Sequence, residues 1–222
     1  MSGNLQRSES ISKRLPRECK PEILEVIKKI GKLYRNDQLV TRNGGIQMKV
    51  LFLDIDGVLK EESYKAAFQD ECFARLKRII DATDAQIILT SSWRVNYWKF
   101  VEDGFQTENE DVLRLHEYFE KYGLKVSGRT DLTRRSGPDS RPSEIRNWLA
   151  DKPDVDTFCI LDDDDFYRWK WLSQFLVVTR VKTIDEDRYS SWKRTLSDAD
   201  VERAIRILNT DNKALVEEQF TP

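Results

Sequence analysis

A short apolar run that ends in acid constrains this chain more than any other feature. Val50, Leu51, Phe52 and Leu53 follow one another without a polar break, the pattern of a strand buried on both faces of a parallel sheet. The run stops at Asp54-Ile55-Asp56-Gly57, where glycine frees the backbone to turn. Open α/β sheets bind ligands outside the carboxyl ends of their strands, so a buried strand ending in two acids delivers them to the crevice. Residues two apart in extended chain share a side, so Asp54 and Asp56 can face one ligand. Close carboxylates repel and raise each other's pKa unless a cation or hydrogen-bond donors offset them. A hard divalent cation with oxygen ligands meets that need.

Further strands and helices alternate after this run. The periodicity predicts a helix over residues 64–82 carrying Phe68, Phe73, Leu76 and Ile80, then a second strand over 85–89 that runs into Thr90-Ser91-Ser92-Trp93-Arg94. Two helices follow, one with Trp98 and Phe100 and one over 111–122, then a third strand over 124–127. A loop over 128–142, rich in Gly, Pro, Ser and Arg, leads to a helix over 143–150. The fourth strand, 156–161, ends in Asp162-Asp163-Asp164-Asp165, and a short fifth covers 175–179. Ser197 caps a last helix with Val201, Ala204, Ile205 and Leu208 on one face. Such alternation implies an α/β, Rossmann-like three-layer sandwich around a parallel five-stranded sheet. With strand order 3-2-1-4-5, the switch point falls between strands one and four, the two that end in aspartates.

This domain is expected over residues 48–208, between a polar extension, 1–47, and a tail, 209–222. In the extension Ile23, Val26, Ile27, Ile30 and Leu33 recur at helical spacing, giving one amphipathic helix that either packs on the domain or docks a protein partner. Acids and bases nearly cancel, with a formal net charge of -2, so affinity for nucleic acid must come from a local patch. Three scattered cysteines without CxxC spacing read as reduced thiols, which points to the cytoplasm. No stretch reaches transmembrane length. A single histidine, His116, leaves no material for histidine triads or histidine metal sites.

Asp54 and Asp56, Thr90-Ser91, an arginine before the Ser143 helix and Asp162-Asp163 come in a set order. In that order, as LDIDGVL, SSWR, RxxEI and LDDD, the chain resembles the capless haloacid dehalogenase-like (HAD) phosphohydrolases, specifically the HAD domains of RNA-repair proteins. The resemblance spans residues 48–208 and implies Mg2+-dependent phosphatase chemistry. It makes Asp54 the nucleophile that forms an aspartyl-phosphate. Asp56 is then the general acid and base, with its backbone carbonyl also reaching the metal. Either Thr90 or Ser91 holds a phosphoryl oxygen; Thr90 is preferred because it directly ends the apolar run. The family usually places a lysine where this chain has Arg141, a change that keeps a cation on the phosphate. Arg134 and Arg135 lie in the same loop and can substitute for it. Asp162 is the metal ligand expected, with Asp163 supporting, beside Asp54 and Asp56.

Neither interval between these motifs has room for a cap domain. An open crevice favours a phosphate at the end of a macromolecule, and Arg94, Arg129, Arg134 and Arg135, with Trp93, Tyr97 and Trp98, suit a nucleic-acid strand end. The expected substrate is therefore an RNA or DNA 3′-phosphate. A phosphoprotein or nucleotide phosphatase is the alternative, and a non-catalytic binding module of the same fold is a further one.

Overall fold

The computed structural model describes residues 48–61, 66–133, 140–166, 169–179 and 195–212. The apolar run forms β1, Met48–Leu53, whose last four residues are buried. It pairs in parallel with β2, Gln86–Leu89, on one side and with β4, Val155–Asp162, on the other. β3, Val126–Arg129, and β5, Leu176–Val178, complete a parallel sheet of order β3-β2-β1-β4-β5. The switch point lies between β1 and β4, where the sequence puts it.

Alternation along β1 sends its side chains into two cores. Leu51 and Leu53 point to one face, with Phe73 and Leu76 of α1, Asp70–Thr83, and Leu115 and Phe119 of α3, Glu110–Lys121. Phe100 of α2, Arg94–Glu102, and Val201, Ala204 and Leu208 of α5, Asp198–Asn209, close the same core. Val50 and Phe52 point to the other face, against Ile145 and Leu149 of α4, Ser140–Ala150, and Leu172 and Phe175 around a 3-10 turn at Lys170–Gln174. Three layers result, with β1 buried from both sides. α5 opens with the expected cap: the Ser197 hydroxyl accepts from the Asp200 N–H while Asp200 accepts from the Ser197 N–H at 2.9 Å.

Several boundaries differ from the expected ones, each for a local reason. α1 begins at Asp70 and not at residue 64, because Gln69 is extended and its N–H donates to the Leu59 carbonyl at 3.2 Å. β3 starts two residues later than expected. Leu124 is consumed in closing α3: Gly123 takes φ 61°, its N–H donates to Glu120, and the Leu124 N–H donates to the Phe119 carbonyl. This double closure needs a left-handed residue at its corner. α4 starts at Ser140, with Pro142 in its first turn, a position that tolerates a missing N–H. Arg141 is therefore helical and does not precede the helix. Asp162 is the last residue of β4, not the first after it.

Among the described residues, neither the Asp56–Thr90 nor the Thr90–Arg141 interval holds more than the turns, helices and strand named. No described helix is long and apolar enough to cross a membrane. The expected helix of the extension, Cys19, Arg134 and Arg135 lie outside the described residues.

Phe52 sits edge-on to Trp148 at 5.3 Å and to Phe158 at 5.8 Å, in the core that seats α4 under the sheet. Phe52→Ala is expected to lower stability by roughly 3–5 kcal/mol, read by urea unfolding, since it removes a fully buried ring.

Candidate active site

The backbone ladder runs one residue past the strands and sets the site. Thr90 N–H donates to the Leu53 carbonyl, Asp54 N–H to Leu161 and Thr179 N–H to Asp162, at 3.0, 3.0 and 2.9 Å. Thr90, Asp54 and Asp162 are thereby held side by side at the carboxyl edge. Asp54 and Asp162 are almost wholly buried. Between them lies the guanidinium of Arg141, whose Nη1 is 3.2 Å from Asp54 Oδ2 and 2.7 and 2.9 Å from the two oxygens of Asp162. Asp163 is half-buried, and carboxylate oxygens of Asp54, Asp162 and Asp163 all lie within 4.8 Å of one another. Gly57 makes room for Asp163. It has φ 73°, and a Cβ there would meet the Asp163 Cβ at 2.6 Å.

Burial raises the Asp54 pKa; Arg141, the Ile55 N–H and the Ser91 hydroxyl pull it down, and Asp56 raises it. Burial likewise lifts Asp162, to about 8, against the pull of Arg141. Burial disfavours the charge on Arg141, but Asp162 and Asp54 outweigh it and hold the guanidinium charged. Three acids thus converge beside one cation, and burial leaves Asp54 and Asp162 reluctant to ionise, a resistance that a second cation would relieve. Oxygen-only donors and a half-exposed third ligand fit Mg2+, which keeps several waters. Asp54, Asp162 and Asp163 would hold it. The Asp56 side chain is not in this cluster.

Asp56 faces the other way. One oxygen accepts from the Trp93 indole at 2.8 Å and the other lies 3.0 Å from Lys60 Nζ, whose side chain is itself buried. These residues border a cleft of about 590 Å³, lined also by Phe68, Ser92, Asp111, Arg114 and Tyr118.

The arginines expected to contact substrate separate into distinct groups. Arg94 does not face the crevice. It is buried, donates to the carbonyls of Thr90 and Ser91, the latter at 2.8 Å, and pairs with Glu144 at 2.5 Å. The other Glu144 oxygen accepts from the Thr133 N–H at 2.8 Å and its hydroxyl at 3.2 Å. Glu144 follows Arg141 by nearly one helical turn, so one face of α4 serves both the carboxylates and the Thr90-Ser91 loop. Arg129 is half-buried at the end of β3, 3.9 Å from Asp131. Of the aromatics, Tyr97 is buried with its hydroxyl 3.2 Å from His116 Nδ1 and does not line the crevice. Trp98 is half-buried, and Trp93 alone reaches an acid of the site.

Ser91 rather than Thr90 reaches Asp54 with its hydroxyl. The Thr90 hydroxyl is buried without a partner among the described residues. Sequence reasoning missed Lys60 and Glu144. Their signals were the i,i+4 spacing of Asp56 and Lys60 and the i,i+3 spacing of Arg141 and Glu144.

An aspartate whose folded pKa exceeds its unfolded value stabilises the fold only while protonated. Metal-free protein should therefore lose stability as pH rises from 3.8 towards about 8. Thermal melts with a chelator and with Mg2+ should diverge across that window, and Asp162→Asn should flatten the metal-free slope. Glu144→Ala leaves the Arg94 charge buried and unpaired, which is expected to cost about 3–5 kcal/mol in urea unfolding, and Glu144→Gln less.

Comparison with curated proteins and with solved structures yields no match. Residues 50–188 match the family described as the HAD domain in Swiss Army Knife RNA repair proteins. That span covers more than half of the chain and contains every residue of the buried site, and the chain belongs to this family.

Proposed function

We propose that this domain is a Mg2+-dependent phosphatase that removes the terminal phosphate of an RNA or DNA 3′ end through an aspartyl-phosphate on Asp54. The observation that carries this reading is a buried carboxylate with a serine hydroxyl and a guanidinium directed at it, beside two further acids. A phosphoryl group needs that arrangement: a nucleophile with cations and donors around its charged oxygens.

In the first step an oxygen of Asp54 attacks phosphorus while the bond to the leaving oxygen breaks, and Asp56 gives that oxygen its proton. In the second, water attacks the same phosphorus as Asp56 takes a proton from it; the bond to Asp54 breaks and inorganic phosphate leaves. Trp93 and Lys60 hold the Asp56 carboxylate in place for both transfers. Arg141 donates to the phosphoryl oxygens, in the role the family gives to lysine, and the Ser91 hydroxyl binds another. Asp54, Asp162 and Asp163 would hold Mg2+, which would supply neutralising charge for the transferred group. Arg94 acts indirectly, by fixing the backbone of Thr90 and Ser91. The absence of a cap among the described residues leaves the crevice open to a strand end.

Phosphate release is to be measured with Mg2+ on a 3′-phosphorylated RNA oligomer, a phosphopeptide, a mononucleotide and p-nitrophenyl phosphate. The RNA end should be the best substrate, chelation should abolish turnover, and Asp54→Asn should reduce it by at least about a thousandfold. Turnover of p-nitrophenyl phosphate alone would sink the nucleic-acid reading. No turnover by folded, Mg2+-loaded protein would favour a binding module.

A further inference from the structure

We propose that the cleft beside Asp56 is the leaving-group subsite, taking the terminal nucleoside of a 3′-phosphorylated strand against an aromatic wall, with Arg114 on the next phosphodiester. The proposal rests on the phosphatase reading above and adds to it where the substrate lies and what part of it is recognised.

Direction comes first. Asp56 hands its proton to the leaving oxygen, so the alcohol that departs lies on the Asp56 side of the phosphorus. That side is the cleft of about 590 Å³, bordered by Asp56 itself. Asp162, Asp163 and Arg141 do not line it. Substrate can therefore occupy the cleft without displacing the groups that hold the phosphate.

The chemistry of the walls comes next. Phe68 lies 5.6 Å from Trp93 and 5.5 Å from Tyr118, ring centre to ring centre, and makes one continuous aromatic surface. Gln69 is extended and α1 begins only at Asp70, so Phe68 lies in the wall and not on a helix. α3 contributes Asp111, Arg114 and Tyr118, residues spaced to share one helical face. Aromatic surfaces of this kind stack nucleobases with little regard to sequence.

Charge gives the polarity of the bound strand. Lys60 is buried against Asp56, beside the leaving oxygen. Arg114 is well exposed, and its one described ion pair, with Glu110 at 3.8 Å, is long. Exposed pairs of this kind contribute little, so its guanidinium can turn to a phosphate. Asp111 accepts hydrogen bonds only, which suits sugar hydroxyl or base N–H donors and not a phosphate. The cleft volume lies in the range of small-molecule sites and exceeds what a serine or a phenol ring fills. A nucleotide provides the flat face, the donors and the second anion together. A phosphotyrosine provides only the first.

The test compares kcat/KM of the full chain with Mg2+ on four substrates: a 3′-phosphorylated RNA oligomer, the same oligomer with an abasic terminal nucleotide, a phosphotyrosine peptide and p-nitrophenyl phosphate. Each is run with wild type and Arg114→Ala, an exposed substitution outside the catalytic groups. The abasic end should be poorer by about tenfold or more. Arg114→Ala should lower kcat/KM on the oligomer several-fold, reduce the slope of its logarithm against log salt by about 0.7, and leave p-nitrophenyl phosphate unchanged. Equal rates on base-bearing and abasic ends would overturn the subsite. So would an Arg114→Ala loss shared by p-nitrophenyl phosphate, or a preference for the phosphotyrosine peptide. Hydrolysis of p-nitrophenyl phosphate without any oligomer would overturn the phosphatase reading for strand ends, and the subsite with it.

Discussion

Two carboxylates held nearly out of water at the ends of neighbouring strands are the constraint on which this structure turns. An isolated buried carboxylate costs several kcal/mol unless it is protonated, paired or bound to metal. Asp54 and Asp162 stand there because the ladder leaves them no choice: the N–H of Asp54 is tied to Leu161 and the carbonyl of Asp162 to Thr179. β4 is buried along its whole length and β1 over its last four residues. Arg141 is the fold's own answer to that charge, and it is incomplete by design of the donor set. One guanidinium faces three acids whose ligand atoms converge. That imbalance fits a site that would receive a hard cation, as the proposed function requires.

The helix that carries Arg141 makes a second buried ion pair through Glu144. Arg94 and Glu144 are each almost fully excluded from solvent. An ion pair so buried seldom adds net stability over apolar residues of the same volume. What it does here is geometric. Arg94 grips the carbonyls of Thr90 and Ser91 from below, and Glu144 holds Thr133 after β3 with its other oxygen. Two loop ends and α4 are thus locked to one point. A leucine in place of either residue would pack but would not orient a carbonyl. The serine hydroxyl beside Asp54 keeps its position because the backbone beneath it cannot shift.

The sequence shows the frame of this arrangement plainly and its interior poorly. The run Val50–Leu53, the acids after it and the acids after the fourth strand are enough to infer the parallel sheet, its order and the switch point, since a doubly buried strand has few other uses. Asp162 differs from Asp164 and Asp165 in that it continues the apolar run within the ladder, paired with Val178. What spacing cannot show is which charges find each other across elements. Arg94 looks like any basic residue after a serine-rich turn, and its partner lies fifty residues away in sequence. Thr90 was preferred over Ser91 on chain position, yet its N–H is already spent on Leu53. A strand boundary differs where a helix closure claims Leu124, and a helix boundary where Pro142 lies inside the first turn of α4. Both are local turn geometries that hydrophobic periodicity does not encode.

The site is divided in two, and the division bears on how specificity arises. On the β4 side the groups are all charged: Asp54, Asp162 and Asp163 converge beside the Arg141 guanidinium. In the proposed reaction any phosphate monoester would satisfy those groups, so they would speed transfer without choosing among substrates. On the Asp56 side the surface is aromatic and mixed in charge. In the proposed reaction only the leaving alcohol would touch it, the part of the substrate that differs between an RNA end, a peptide and a small metabolite. Lys60 joins the cleft wall to Asp56, since it pairs with that carboxylate from within the lining. In the proposed reaction a group bound in the cleft would bear on the side chain that delivers the proton. Binding of the correct leaving group can then raise kcat and not only lower KM, because remote contacts are spent in positioning the acid.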